Sequence, residues 1–183
     1  GIADEKGMYK YEFELPESWN GKQIELVFEA AMTDTRVTIN GRKAGEMHQG
    51  GFYRFVYNVS DRVFFGPKKK NVLEVTVSKE SENAGVNLAE RRADYWNFGG
   101  IIRPVFMLAR PAMNIHQVAI DAKADGSFKT NCYLNIAVPG AKVKTAIYDA
   151  KGKKVSESTT SVATGSDQCL VDMKVSNPAL WTA

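Results

Sequence analysis

Apolar and polar residues alternate with a period of two along most of the chain. Tyr9, Tyr11, Phe13 and Leu15 interleave with Lys10, Glu12 and Glu14 until Pro16. That is the pattern of a strand with one face on a core and the other in water. Ile24, Leu26 and Phe28 alternate with Glu25, Val27 and Glu29, and Val37 and Ile39 then run into Asn40-Gly41. Both central residues of such a turn need positive φ, so the chain is expected to reverse there. Further strands are expected over residues 52–57, 63–65 and 72–77, with Lys68-Lys69-Lys70 at a hairpin tip after Gly66-Pro67. From Lys79 to Phe98 no period persists. A stretch of that length without regular structure is more often functional than idle. Pro104 to Ala109 resumes an apolar strand.

Arg110-Pro111 interrupts the pattern, and beyond it the aromatics thin out to Phe128, Tyr133, Tyr148 and Trp181. A boundary is therefore expected near Pro111, giving domains over residues 1–111 and 112–183. The second part predicts strands over residues 115–122, 128–138, 143–148 and 169–175 and a Ser/Thr-rich segment over 153–164, with turns at Asp125-Gly126, Pro139-Gly140 and Lys151-Gly152. No window carries a capped apolar stripe at helical spacing, so helix should be minor. Short strands at this spacing predict an all-β chain built as sandwiches.

Composition narrows the function. The chain has 183 residues and a net charge of +3, and its one dense cationic run sits at a turn, so neither a nucleic-acid groove nor another polyanion site is expected. No run of residues has the length and apolarity of a membrane span. The first residue is Gly1 rather than Met, which suggests a processed or excised piece. Cys132 and Cys169 lie in two separate strand-like segments, so a bridge is conceivable; neither belongs to a C-x-x-C or a His-containing cluster, and free thiols are favoured, with zinc a remote third.

His48 and His116 are the only imidazoles, and no G-x-S-x-G, metal-ligand spacing or phosphate-binding loop accompanies them. No catalytic residue, metal or cofactor is expected. Chemistry concentrates instead in Asn87, Glu90, Arg91, Arg92, Asp94, Tyr95, Trp96, Asn97 and Phe98, followed by Gly99-Gly100. Aromatic rings pack on the C–H face of a sugar, while carboxylate, amide and guanidinium groups bind its hydroxyls. In the competing reading, Trp96 and Phe98 plug the end of the sandwich and Arg91, Arg92 and Asp94 form surface ion pairs.

The segment Trp96-Asn97-Phe98-Gly99-Gly100-Ile101-Ile102-Arg103-Pro104-Val105 resembles the W-x-x-G-G-I-x-R-x-V stretch closing the N-terminal sugar-binding domain of glycoside hydrolase family 2. That family is the β-galactosidase, β-glucuronidase and β-mannosidase group. Val37-Thr38-Ile39-Asn40-Gly41 is similar to its V-x-V-N-G hairpin, His48-Gln49-Gly50-Gly51-Phe52 with Phe55 to its H-x-G-G-Y-x-x-F stretch, and Asn71-Val72-Leu73-Glu74-Val75 to N-x-L-x-V. Asn177-Pro178-Ala179-Leu180-Trp181 is similar to the P-x-L-W motif of the next domain.

The resemblance implies a jelly-roll sandwich followed by an incomplete immunoglobulin-like sandwich, both ends being cut relative to the family. It places catalysis in a third domain, a (β/α)8 barrel with two glutamates about 5–5.5 Å apart in the retaining mechanism. The chain is then expected to be non-catalytic, contributing a wall of the pocket for a β-glycoside and spacing the barrel of a retaining parent enzyme. Asp94 occupies the place of a family sugar contact, with Tyr95, Trp96 and Arg92 as further substrate-binding candidates; at a second family contact, an asparagine, this chain has Asp4. His48, Gly99, Gly100 and Arg103 are expected to hold the loop. The alternatives are a free-standing carbohydrate-binding module and a scaffold for protein contacts. A homodimer through an exposed sheet edge and a bacterial periplasmic or secreted location complete the expectations.

Overall fold

The structure is a computed structural model describing residues 5–92 and 98–180. The chain divides into two compact units, Gly1–Ala112 and Met113–Ala183. The first contains β1 (Lys6–Glu14), β2 (Gln23–Phe28), β3 (Ala31–Met32), β4 (Asp34–Ile39), β5 (Arg42–Lys43), β6 (Phe55–Asn58), β7 (Lys70–Ser78), α1 (Ala84–Arg91), β8 (Gly100–Ile101) and β9 (Val105–Arg110). The second contains β10 (Ile115–Ala122), β11 (Ser127–Leu134), β12 (Lys142–Tyr148), β13 (Lys154–Ser161) and β14 (Gln168–Lys174). Apart from α1 and one short 3-10 turn the described residues are β structure, a jelly-roll sandwich followed by a smaller immunoglobulin-like one.

In the first unit an antiparallel sheet ordered β1-β7-β4-β5 is packed against a second ordered β6-β2-β9, with the β3-β8 pair beside them. The alternation seen in the sequence decides the packing: Ile24, Leu26 and Phe28 of β2 meet Val37, Ile39, Val75 and Val77 in one core. Phe55 stacks on Phe28 at 4.8 Å between ring centres. Each such side chain, fully removed from water, contributes about 1.5–3 kcal/mol. Tyr9 and Tyr11 lie opposite Val75 and Leu73 and so share the core face, yet they remain 42% and 65% exposed.

Asn40 and Gly41 have φ of 51° and 74°, and the reversal they make joins β4 to β5. Asn40 also ties this turn into the core. Its amide donates to the Arg62 carbonyl at 2.7 Å and to Asn71 Oδ1 at 2.9 Å, and its Oδ1 accepts from Val72 N–H at 2.9 Å. Asn71, fully buried, accepts from Phe64 N–H at 2.8 Å and donates to the Phe64 carbonyl at 2.9 Å.

That amide ladder explains two departures from the expected strands. Residues 63–65 form no strand, because the Phe64 backbone is paired by a side chain rather than by a neighbouring strand. The turn that includes Lys68 is not a hairpin tip either: β6 pairs with β2, whereas β7, which begins at Lys70, pairs with β1 and β4. The strand expected over 52–57 starts only at Phe55, after bends at residues 51–53.

The second unit packs a β10-β11-β14 sheet against the β12-β13 hairpin through Cys132, Leu134, Val143, Val162, Cys169, Val171 and Met173. Asp125 pins the turn between β10 and β11, accepting from Ser127 N–H and Oγ at 2.9 Å each and from Lys174 Nζ at 3.3 Å. Those bonds, the Ser127 backbone contact first, hold its carboxyl down at about 2. Cover over the sheet is unequal. Val118 and Ile120 face the same side as Cys132 and Thr130, their partners in register, but are 51% and 62% exposed. An opening of about 960 Å³, lined by residues that include Phe128, Ile147, Tyr148, Pro178 and Leu180, lies in the same unit.

Because Asn71 satisfies both polar groups of the Phe64 backbone, Asn71→Ala is expected to destabilise the chain by about 2–3 kcal/mol in urea unfolding. Substitution by Ala of the partly exposed Thr38, whose hydroxyl makes only a 3.4 Å bond to Glu74, should change little by the same measurement.

Candidate functional site

The polar segment singled out in the sequence returns to the first sandwich through β8, which pairs Ala31 with Ile101 and Met32 with Gly100. Its anchor is Asp34, the first residue of β4, which is 2% exposed. Asp34 Oδ1 accepts from Ser81 Oγ at 2.6 Å, and Oδ2 accepts from Glu82 N–H at 2.7 Å and from Gln49 Nε2 at 3.2 Å. A carboxylate in such a place needs every one of these donors. Sequence reasoning missed Asp34; the available signal was a charge following the apolar run Ala30-Ala31-Met32.

Ser81 passes the constraint on. Its N–H donates to Asn87 Oδ1 at 2.8 Å, and its carbonyl accepts from Asn87 Nδ2 at 2.7 Å. Residues 84–91, expected to be irregular, therefore form α1, capped by Asn83, whose Oδ1 accepts from the N–H groups of Gly85 and Val86 at 2.9 and 3.4 Å. The helix has no buried residue, which is why no apolar stripe announced it. Arg91 donates to the Lys79 carbonyl, and the Glu90 carboxylate fills the space that a side chain at Gly51 would need. Asn87 and Arg91, offered above for hydroxyl binding, thus make bonds that shape the loop.

His48 sits on the inner side of this assembly, its backbone exchanging hydrogen bonds with Thr35 at 2.8 and 3.0 Å. Its ring stacks on Phe55 at 3.7 Å and meets Tyr53 edge-on at 5.0 Å. Nε2 is buried without a hydrogen-bond partner among the described residues. Burial pushes the imidazole pKa below 6.5, against the opposing pull of the Asp34 charge and a backbone hydrogen bond at Gly50. His116, in the second unit, lies beside Tyr133.

Gly100 has φ of 90° and is buried, and the Tyr9 hydroxyl occupies the place that a side chain there would take. Gly99 lies over the Lys79 stem, and Arg103 donates to the Phe52 carbonyl at 3.4 Å. Arg92 is exposed at the C-terminal end of α1, and Phe98 is 64% exposed. Asp94, Tyr95, Trp96 and Asn97 lie outside the described residues, as does Asp4.

A cavity of about 260 Å³ opens beside the loop, lined by Glu5, Tyr9, Val77, Lys79 and the two glycines Gly99 and Gly100 among others. A carboxylate, an ammonium and a phenol around backbone amides suit hydroxyl groups, but the volume falls below the roughly 300–1,000 Å³ of a complete ligand pocket. Among the described residues no group of His, Cys, Asp and Glu is placed to hold a metal ion, and no helix is long and apolar enough to cross a membrane.

Since the folded His48 binds a proton less readily than the unfolded chain, its contribution to stability is complete above pH 6.5 and is lost as the pH falls below that value. The melting temperature is expected to fall between about pH 7 and 5, and His48→Gln should flatten that slope. An NMR titration midpoint for His48 at or above 6.5 would contradict this.

Residues 2–111 match the family described as "Glycosyl hydrolases family 2, sugar binding domain". The chain is 25% identical over 178 residues to a β-galactosidase of Thermoanaerobacter pseudethanolicus, an alignment covering 94% of this chain and 24% of the relative. It is 29% identical over 159 residues to a β-galactosidase of Thermoanaerobacterium thermosulfurigenes, covering 82% of this chain and 22% of the relative. In fold it is similar to Bacteroides uniformis β-glucuronidase, with a TM-score of 0.77 at 22% identity, covering 98% of this chain and 23% of the other. The chain spans about a quarter of the length of these two curated relatives. With the family's sugar-binding domain matched over more than half of this chain, the chain belongs to glycosyl hydrolase family 2.

Proposed function

We propose that the chain is the non-catalytic, sugar-binding portion of a retaining β-glycosidase. In this reading the first unit supplies one wall of the glycoside pocket, and the second spaces a catalytic barrel. The observation that carries it is the match of residues 2–111 to the sugar-binding domain, together with a loop that a buried carboxylate fixes against that same sandwich. The small cavity beside Gly99 and Gly100 favours a wall completed by another domain over an autonomous lectin-like site.

Within that reading Asp94 is the sugar-contacting carboxylate, flanked by Tyr95, Trp96 and Arg92, while His48, Gly99, Gly100 and Arg103 support the loop. Charge-assisted hydrogen bonds to hydroxyls contribute roughly 1.5–3 kcal/mol each when desolvated. In a full-length enzyme carrying the barrel, Asp94→Ala is expected to lower kcat/KM by roughly ten- to a thousandfold while leaving the melting temperature of the present chain almost unchanged. Unchanged kinetics would refute the contact. Titration of the isolated chain with β-galactosides and β-glucuronides should give no measurable heat; micromolar binding would favour the free-standing module.

Val118 and Ile120, exposed on the core face of β10, and the outer edge of that strand, unpaired among the described residues, favour self-association of the isolated chain. Light scattering at rising concentration should show a dimer, and a strict monomer would exclude it.

A further inference from the structure

Cys132 and Cys169 take no part in the sugar-binding reading, and their placement is unusually constrained. They are partners in register on the adjacent antiparallel strands β11 and β14. In β11, Thr130, Cys132 and Leu134 are buried while Lys129 and Asn131 are exposed; in β14, Cys169, Val171 and Met173 are buried while Leu170 and Asp172 are exposed. Both side chains therefore leave the sheet on its inner face, directly opposite each other. Residues so paired have Cβ atoms about 4.5–5.5 Å apart, and a disulfide needs about 3.5–4.5 Å with Cα atoms about 4.4–6.8 Å apart. Bridging therefore asks the two strands to approach by about 1 Å at this pair.

Both cysteines are free and buried, at 3% and 4% exposure. Burial raises the Cys169 thiol pKa, and the nearness of Cys132 adds to the rise. Access comes from the β10 side: Val118, the partner of Cys132 in register, is 51% exposed, so the pair lies one strand in from an open edge. Among the described residues no third His, Cys, Asp or Glu joins the two thiols to hold a metal.

We propose that Cys132 and Cys169 form a dithiol–disulfide couple, oxidised by a small or protein-borne disulfide to a bridge that ties β11 to β14. One thiol loses its proton, and its sulfur attacks a sulfur of the incoming disulfide, whose other half leaves as a thiolate. The second cysteine, deprotonated in turn, attacks the mixed disulfide and expels the remaining half as a second thiolate. The two released protons go to the two leaving thiolates. Two protein thiols are oxidised to one disulfide, and the oxidant is reduced to two thiols.

The test is incubation of the folded chain with oxidised glutathione, followed by thiol titration and mass spectrometry of peptides cut without reduction. The expected result is loss of both titratable thiols, a mass lower by two hydrogens, and one peptide joining Cys132 to Cys169 within a single chain, all reversed by a reductant. Cys132→Ser and Cys169→Ser should each keep the remaining cysteine unbridged within the chain, so a fold lost in one variant leaves the wild-type readout decisive. Two thiols that persist in the folded chain, while the urea-unfolded chain loses them under the same treatment, would overturn the proposal. So would stable glutathione adducts on the separate cysteines or bridges confined to pairs of chains.

Discussion

A carboxylate taken out of water has to be answered by donors that cannot leave, and Asp34 sets that requirement for one whole end of the first sandwich. Leaving such a charge unpaired costs several kcal/mol, more than a short exposed helix can supply by its own propensity. The donors come from Gln49, Ser81 and Glu82, so the segment after β5 and the segment after β7 are fixed relative to each other by one side chain. Asn87 then orders the start of the polar loop around Ser81. Through Ser81 and Asn87, the placement of α1 rests on this buried charge.

Period-two alternation was enough to find the long strands, because each has one wet and one dry face and the pattern reports that difference directly. Ile24, Leu26 and Phe28, or Val75 and Val77, need no tertiary information to be read as core. Asn40-Gly41 was equally legible, since the demand for positive φ is local. The Phe64 region was not: its backbone is satisfied by Asn71, a side-chain partner that no local pattern announces. Short elements such as β3 and β8 also escaped, being defined by pairing across the chain rather than by their own composition.

The candidate site was legible as a composition and illegible as a mechanism of support. Asn87 and Glu90 to Phe98 stand out for their mixture of charge, amide and ring. Which of the described ones bind their own backbone depends on neighbours such as Ser81 and Asp34, residues of ordinary appearance in sequence. Asn87 illustrates the difference, its amide being fully engaged with the Ser81 backbone. The two units also differ in how far their sheets are covered. The first encloses β2 from both faces, with Leu26, Val27 and Phe28 all buried, whereas the second leaves Val118 and Ile120 of β10 in contact with solvent.

The helix α1 buries none of its residues, and Asn87 and Arg91 tie it to backbone by hydrogen bonds. A helix so attached has little apolar area to lose on opening, so its local unfolding free energy lies well below that of the sheets it rests on. Amide hydrogens of residues 84–91 should therefore exchange by detaching this one turn-rich segment, long before β2 or β7 gives up a single bond. A bound molecule that gripped α1 would be felt as protection there first, and the sandwich beneath would register nothing.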